Sequence, residues 1–344
     1  MINFIKNIKN KIFFEILIFI CNNNLFFLNS YLLSILINLS GDRIYFCDYN
    51  KKLLLIKYIN IFNRKNYSTD LLAGDEKAFN EVCTNGISTN FKLNISIEDI
   101  EEVKNFFKNS DFYDSHTPIL KNKKNKKEKP SGAYISFDHK AQLNCKTLLN
   151  ICLNERVVKL ASKYLECKPY LYSINTFVTF PSTKAFTHNF HRDHDNIKWI
   201  VFFINWTDTN TDNGAFDQLL YTHKPSNLFD DFYLCDSDFK DFDEYTNHTL
   251  GYDSKLIEKM PHKNLVVSSY GKAGSVTVSD TFALHRGTPV KNPRLVTWIR
   301  FGVRQGRHNI LDKNLNEKIN LENEECKSIY ESSKYKEVLK YLIK

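Results

Sequence analysis

Apolar positions along this chain fall into two textures. Residues 1 to about 72 read as helices with short connections, and LFFLNSYLLSILINL is their strongest apolar stretch. From Leu71 the pattern changes. Ser96 precedes IEDIEEVKNFF, with Asp99 at the capping-box position and apolar residues at 97, 100, 103 and 107, so an amphipathic helix is predicted to start there. A second helix is predicted over about 142–165, through LLNICL and VVKLASKYL. After Pro169 the segments YLYSINTFVTF, KWIVFFINW, NLVVSS, GSVTVSD and RLVTWIRFGV are β-branched and aromatic, and Gly, Pro, Asn or Asp turns separate them. Many short strands after helices imply an α+β chain with an antiparallel barrel or sandwich. From about residue 321 the tail reads as one charged helix, and there is no internal repeat. The expected organisation is a helical extension over 1–72, a body over 73–315 and a helical tail over 316–344.

A chain of 344 residues holds one large domain with additions, or two domains. Its 42% apolar and 14% aromatic content supplies a sizeable core and excludes a disordered chain. The abundance of Asn, Lys and Ile reads as coding bias from an AT-rich genome, so isolated Asn or Lys residues carry little meaning. Lys and Arg exceed Asp and Glu by 47 to 39, and much of the excess sits in KNKKNKKEK, residues 121–129. No aromatic is interleaved there for base stacking, so the run reads as a solvated loop and no nucleic-acid partner is expected. The eight cysteines (21, 47, 83, 145, 152, 167, 235 and 326) form no CxxC pair, which points to reduced thiols in a cytoplasmic protein. KIFFEILIFI, residues 11–20, follows Lys6 and Lys9 like a short signal segment, but Glu15 interrupts it and no small-residue cleavage site follows. Asn22, Asn23 and Asn24 end the apolar run before it could span a membrane. Amphipathic helices packed on the body are expected, with peripheral membrane contact as the alternative.

The candidate chemistry lies in HNFHRDHDNIKW, residues 188–199. Residues two apart on a strand share a face, which puts His191 beside Asp193 and turns Arg192 away. Such a half-site needs one more imidazole. His285, on the turn between two strand-like runs in GSVTVSDTFALHRGTPVKNPRLVTWIRF, can supply it. Two histidines and one carboxylate, with positions left open on the metal, form the facial triad of non-heme Fe(II) oxygenases. His188 and His194 fall outside that pattern, Asp195 is expected to serve the loop or support the ligands, and Asp212-Asn213-Gly214 reads as a tight turn. His223 and His262 are expected to be satisfied or solvated.

HRDHDNIKWIVFFINWTDTNTDNGAF resembles the first metal segment of the phytanoyl-CoA dioxygenase family, close to its HRDxDxxK…FxxxLTDVxxxNGPF. LHRGTPVKNPR resembles that family's second segment, a histidine followed by a short turn and a basic residue. The resemblance covers about residues 74–305, and departs from the family at YTHK (221–224) and at Ala215 in place of a common proline. It implies a double-stranded β-helix (jelly roll) flanked by helices, using Fe(II), O2 and 2-oxoglutarate as cosubstrate. It also implies that His191, Asp193 and His285 hold the iron while a small-molecule or acyl substrate is oxidised with release of succinate and CO2. Related halogenases carry Gly or Ala at the carboxylate position, so Asp193 implies oxidation without halogenation. The family's basic residue after the distal histidine maps best to Arg294, as the partner of the cosubstrate's far carboxylate. Arg300 lies an even number of strand positions further on and competes for that role, while Arg286 alternates away from His285 and reads as structural. Two other readings stay open. NFHRDH resembles the HxHxDH of binuclear metallo-hydrolases with Asn189 in place of the first histidine, and a jelly roll can also keep a metal for binding alone.

Overall fold

The structure is a computed structural model that describes residues 11–20, 55, 70–114, 123–124, 133–181, 188–223, 252, 254–260, 263–304 and 318–344. Its strands are β1 (Ile87–Ser88), β2 (Phe112–Tyr113), β3 (Lys123–Lys124), β4 (Tyr134–Phe137), β5 (Tyr170–Thr179), β6 (Trp199–Asn205), β7 (Phe216–Leu219), β8 (Val266–Ser268), β9 (Val276–Ser279), β10 (His285–Gly287) and β11 (Arg294–Gly302). They pair antiparallel into an eight-stranded sheet ordered β1-β9-β6-β11-β5-β4-β2-β3 and a three-stranded sheet ordered β10-β7-β8. His191 forms an isolated bridge to His285, which adds its segment to the free edge of the small sheet. From β5 onward the chain thus passes between the sheets: β5 large, 190–191 small, β6 large, β7 and β8 small, β9 large, β10 small, β11 large. This is the path of a double-stranded β-helix.

The central strands are apolar on both faces because both faces are covered. On β6, Ile200, Phe202 and Ile204 pack outward with Leu148, Leu149, Val157 and Leu160 of the flanking helices. Its alternate residues Trp199, Val201 and Phe203 pack inward with Phe216, Leu219 and Leu284. Strand β11 divides the same way, with Leu295, Ile299 and Phe301 outward and Val296 and Trp298 inward. Burying each such side chain is worth roughly 1.5–3 kcal/mol, so the two cores hold the sheet in register. The Phe203 and Phe216 rings, 4.4 Å apart, join the large sheet to the small one.

Every strand-like run of the sequence falls on a strand, whereas β1 to β4, β7 and β10 lie outside those runs, being only two to four residues long. The helix over Ile97–Lys108 has the anticipated capping box: Asp99 N–H donates to Ser96 Oγ (3.1 Å) and Ser96 N–H donates to an Asp99 carboxylate oxygen (2.9 Å). Ile100, Val103 and Phe107 are buried, but Ile97 is 75% exposed, because the first turn projects past the core. The single helix expected over 142–165 is instead three, His139–Leu143, Lys146–Cys152 and Glu155–Leu165. The break follows from Asn154, which takes an extended conformation and caps the last helix by accepting a bond from Arg156 N–H. The tail helix spans Glu324–Ser332 and gives way to a 3-10 turn, Lys336–Leu339. Most of the expected N-terminal extension and of the lysine-rich run, and also His262, lies outside the described residues. Residues 11–20 are helical and bury Phe14, Leu17, Ile18 and Ile20. Among the described residues no helix is long and apolar enough to cross a membrane. Ser96→Ala removes the cap oxygen and should cost about 1 kcal/mol; urea unfolding, with a lowered midpoint at unchanged slope, checks this.

Candidate metal centre

His191 and His285 face each other across two backbone hydrogen bonds, His191 N–H to His285 O (2.9 Å) and His285 N–H to His191 O (3.0 Å). Asp193 is tied down separately, its N–H donating to Thr281 O at 3.0 Å. The expectation that His191 and Asp193 share a regular strand needs correction. Beyond the bridge at His191 the chain leaves regular structure and bends over residues 195–198. Asn196 accepts from Ile197 N–H and donates to Arg304 O, at 2.9 and 2.8 Å. The three side chains converge nonetheless. One ligand atom from each of His191, Asp193 and His285 lies within 4.8 Å of the others, and His285 Nε2 is 3.7 Å from Asp193 Oδ2.

The imidazoles are oriented for metal binding. His191 Nδ1 lies 2.9 Å from Asn189 O, and His285 Nδ1 lies 2.9 Å from Ala283 O. A carbonyl only accepts, so each Nδ1 carries the proton and each Nε2 presents a lone pair. Phe216 stacks on the His285 ring at 5.2 Å and fixes its tilt. Burial and the neighbouring His191 push His285 down to about 4, so it is neutral and ready to donate at neutral pH. Burial acts to raise Asp193, but the Arg300 guanidinium and the two imidazoles outweigh it and hold the carboxyl below the usual range. Thr281, whose hydroxyl accepts from Trp199 Nε1 at 2.8 Å, also bonds the Asp193 carboxylate.

These three side chains open into a cavity between the two sheets. Phe177, Phe203, Phe216 and Trp298 line much of it. Arg294, Val296, Trp298 and Arg300 reach it together as alternate residues of β11. The two arginines differ in company. Arg300 donates to Asp193 Oδ2 at 3.3 Å, makes a close ion pair with Asp195, and stacks on Trp298 at 4.3 Å. Arg294 is as buried as Arg300, and the Nε of each lacks a hydrogen-bond partner among the described residues, but Arg294 pairs with no carboxylate among them. Burial pulls it down to about 10, which leaves it charged at neutral pH. Opposite it in the ladder stands Thr179, whose buried hydroxyl has no partner among the described residues, and Tyr134 follows across the next strand pair.

The other sequence candidates fall around this centre. Asp195 is buried against Arg300, and Arg286 bonds Asp217 (3.1 Å) and stacks on Phe190 (4.6 Å). His194 is buried with its ring edge-on to Phe282, and His223 Nε2 is 3.3 Å from Cys83 O. His188 stays outside the cluster, and burial together with Arg294 and Arg286 lowers its pKa. Asp212-Asn213-Gly214 forms the anticipated turn, with Asn210 Oδ1 accepting from Asp212 N–H and Asn213 N–H. Gly214 has φ +69°, and a Cβ there would come within 2.4 Å of Val290 and 3.4 Å of Arg294, so this turn also shapes the arginine's pocket. Sequence reasoning missed Thr179, Tyr134 and Phe216, which the strand register brings to the cavity, and Thr281, which a turn sets against Asp193.

No family model matches the chain, and no curated protein matches it. Solved structures similar to it include AviO1 from Streptomyces viridochromogenes Tue57, at 14% identity and TM-score 0.41, covering 69% of this chain and 96% of that one. EctD from S. alaskensis with 2-oxoglutarate and 5-hydroxyectoine gives 13% and 0.44, covering 69% and 78%. HygX from Streptomyces hygroscopicus with nickel and 2-oxoglutarate gives 12% and 0.43, covering 68% and 87%.

The case for a metal lies in the chain's own residues, two imidazoles with Nε2 turned to the centre and an ionised carboxylate in a preformed cluster. The expected outcome is about one Fe(II) or other first-row dication per chain. His191→Ala, Asp193→Ala and His285→Ala should each weaken it, as read by metal titration. Tight stoichiometric metal in all three variants would place the site elsewhere.

Proposed function

We propose that the protein is an Fe(II)- and 2-oxoglutarate-dependent dioxygenase that oxidises, by hydroxylation or a related reaction, a small-molecule or acyl substrate. His191, Asp193 and His285 are its metal ligands, and Arg294 holds the distal carboxylate of the cosubstrate. One observation carries this reading: a cluster of three ligand-type side chains and a buried guanidinium that pairs with no carboxylate among the described residues share one cavity. A buried charge without a partner is costly unless an anion arrives to meet it. A dicarboxylate that can chelate a metal with its 2-oxo acid end and reach a cation with the other end suits both features.

When bound, iron, 2-oxoglutarate and O2 supply the oxidant, with the 2-oxo acid leaving as succinate and CO2. The protein's part is placement. The backbone carbonyls of Asn189 and Ala283 hold both imidazoles with Nε2 toward the centre. Asp193 supplies the single negative ligand and fills the position a halide would need, which favours oxidation over halogenation. Arg294 orients the far carboxylate, with the Thr179 hydroxyl within the same strand pair as a second donor. Phe177, Phe203, Phe216 and Trp298 keep water from the reacting atoms and pack against apolar parts of the substrate.

The alternatives find less support. A binuclear hydrolase needs a second ligand set, and the described residues bring together only one group of three. Its motif would also require a first histidine where Asn189 stands, and the Asn189 carbonyl is engaged by His191. A jelly roll that only binds metal has no use for a buried Arg294 that meets no carboxylate among the described residues.

Two measurements test the proposal. With Fe(II) and O2 the protein should convert 2-oxoglutarate to succinate, and a panel of small molecules scored by succinate release should find the substrate; no succinate with any panel member would sink the enzyme reading. Arg294→Ala should weaken 2-oxoglutarate binding by about 30-fold or more, the equivalent of losing a buried charged pair. A 2-oxo acid without a distal carboxylate should bind wild type and variant alike. Equal losses for both acids would remove Arg294 from the role.

A further inference from the structure

Asp195 is a second buried carboxylate, two residues beyond the ligand Asp193, yet its oxygens are not among the donor atoms that gather at the centre. The reason is Arg300. One guanidinium nitrogen, Nη1, makes the close ion pair with Asp195 Oδ2, and the other, Nη2, donates to Asp193 Oδ2 at 3.3 Å. Both carboxylates therefore adjoin the same cation, which sets Asp195 beside the metal face but turned away from it. Trp298, stacked on the guanidinium at 4.3 Å, fixes the plane of the fork. Around Arg300 the facing charged groups are Asp193 and Asp195, and the imidazoles of His191 and His285 lie behind Asp193.

Oxygen donors suit first-row dications, and the backbone after Asp193 bends without regular structure. Without a competing cation, Asp195 would be a fourth protein ligand, closing a position that a chelating cosubstrate needs. We propose that Arg300 is a positioning residue that withholds Asp195 from the metal and keeps the centre at three protein ligands. This rests on the metal-centre reading above. Charge bookkeeping gives the converse role to Asp195. Two carboxylates and one guanidinium leave one net negative charge, the same as Asp193 alone, so Asp195 cancels a cation that would otherwise repel the dication. Removing Arg300 leaves two negative charges, removing Asp195 leaves none, and removing both restores one.

The metal alone, as Mn(II), tests this by EPR titration, with water-proton relaxation counting the exchangeable waters on the bound ion. Arg300→Ala should bind Mn(II) about ten- to a hundredfold tighter, the effect of one added charge at close range, and should carry one water fewer than wild type. Asp195→Asn should bind more weakly, by about tenfold or more on the same scale. The double variant should return to wild-type affinity and water count, and Arg300→Lys, which keeps the charge, should stay near wild type. If Arg300 merely braces Asp193, Arg300→Ala and the double variant both bind more weakly with no water lost, which overturns the proposal. Should Arg300→Ala fail to fold, the near-isosteric Asp195→Asn decides: unchanged Mn(II) affinity overturns it. A wild-type protein that takes up no Mn(II) overturns the metal centre and this inference together, whereas normal wild-type uptake with the wrong variant order overturns this inference alone.

Discussion

The reciprocal backbone hydrogen bonds between His191 and His285 are the constraint on which the site depends. They join two segments more than ninety residues apart in sequence and set the imidazoles face to face with their rings 4.3 Å apart. Everything nearby serves to hold that pairing. Strand β10 pairs with β7, where Gln218 stands opposite His285, so the small sheet carries that imidazole on a ladder residue. Thr281 anchors Asp193 from the other side through backbone and hydroxyl alike. A metal site on such a frame requires little rearrangement of its ligands.

The large sheet supplies the opposite wall of the cavity, and its stability comes from being covered on both faces. Helices close its outer face, and the aromatic layer of Phe177, Phe203 and Trp298 fills its inner face. Two-sided burial makes register slippage expensive, since a one-residue shift on β11 would move Arg294 and Arg300 into the helix-packed core. The same apolar pressure that orders the strand therefore aims both arginines.

Electrostatics then divides the cavity. At one end a guanidinium bridges two carboxylates beside the His191 and His285 imidazoles, and one net negative charge is left there. At the other end Arg294 has no such partner among the described residues, and buried hydroxyl oxygen at Thr179 waits beside it. Two arginines six positions apart on one strand face thus meet opposite surroundings, and that asymmetry distinguishes a structural cation from one available to a ligand.

The sequence by itself determined the elements whose causes are local. The Ser96–Asp99 capping box, the continuous apolar runs of β5, β6 and β11, and the turn at Gly214 follow from residues within a few positions of one another. The pairing of His191 and Asp193 with His285 was legible too, through the two motifs and their resemblance to a known family, although the geometry assumed for the first pair was too regular. Tertiary structure alone decided what depends on register and on partners distant in the chain. It separated Arg300, neutralised by Asp195, from Arg294, which pairs with no carboxylate among the described residues; both have the same strand parity, and sequence spacing carries no record of which carboxylate each will meet. It also placed Thr179 opposite Arg294, set Phe216 against His285, and broke one expected helix at Asn154. Those outcomes rest on burial and on long-range pairing, which are properties of the folded chain as a whole.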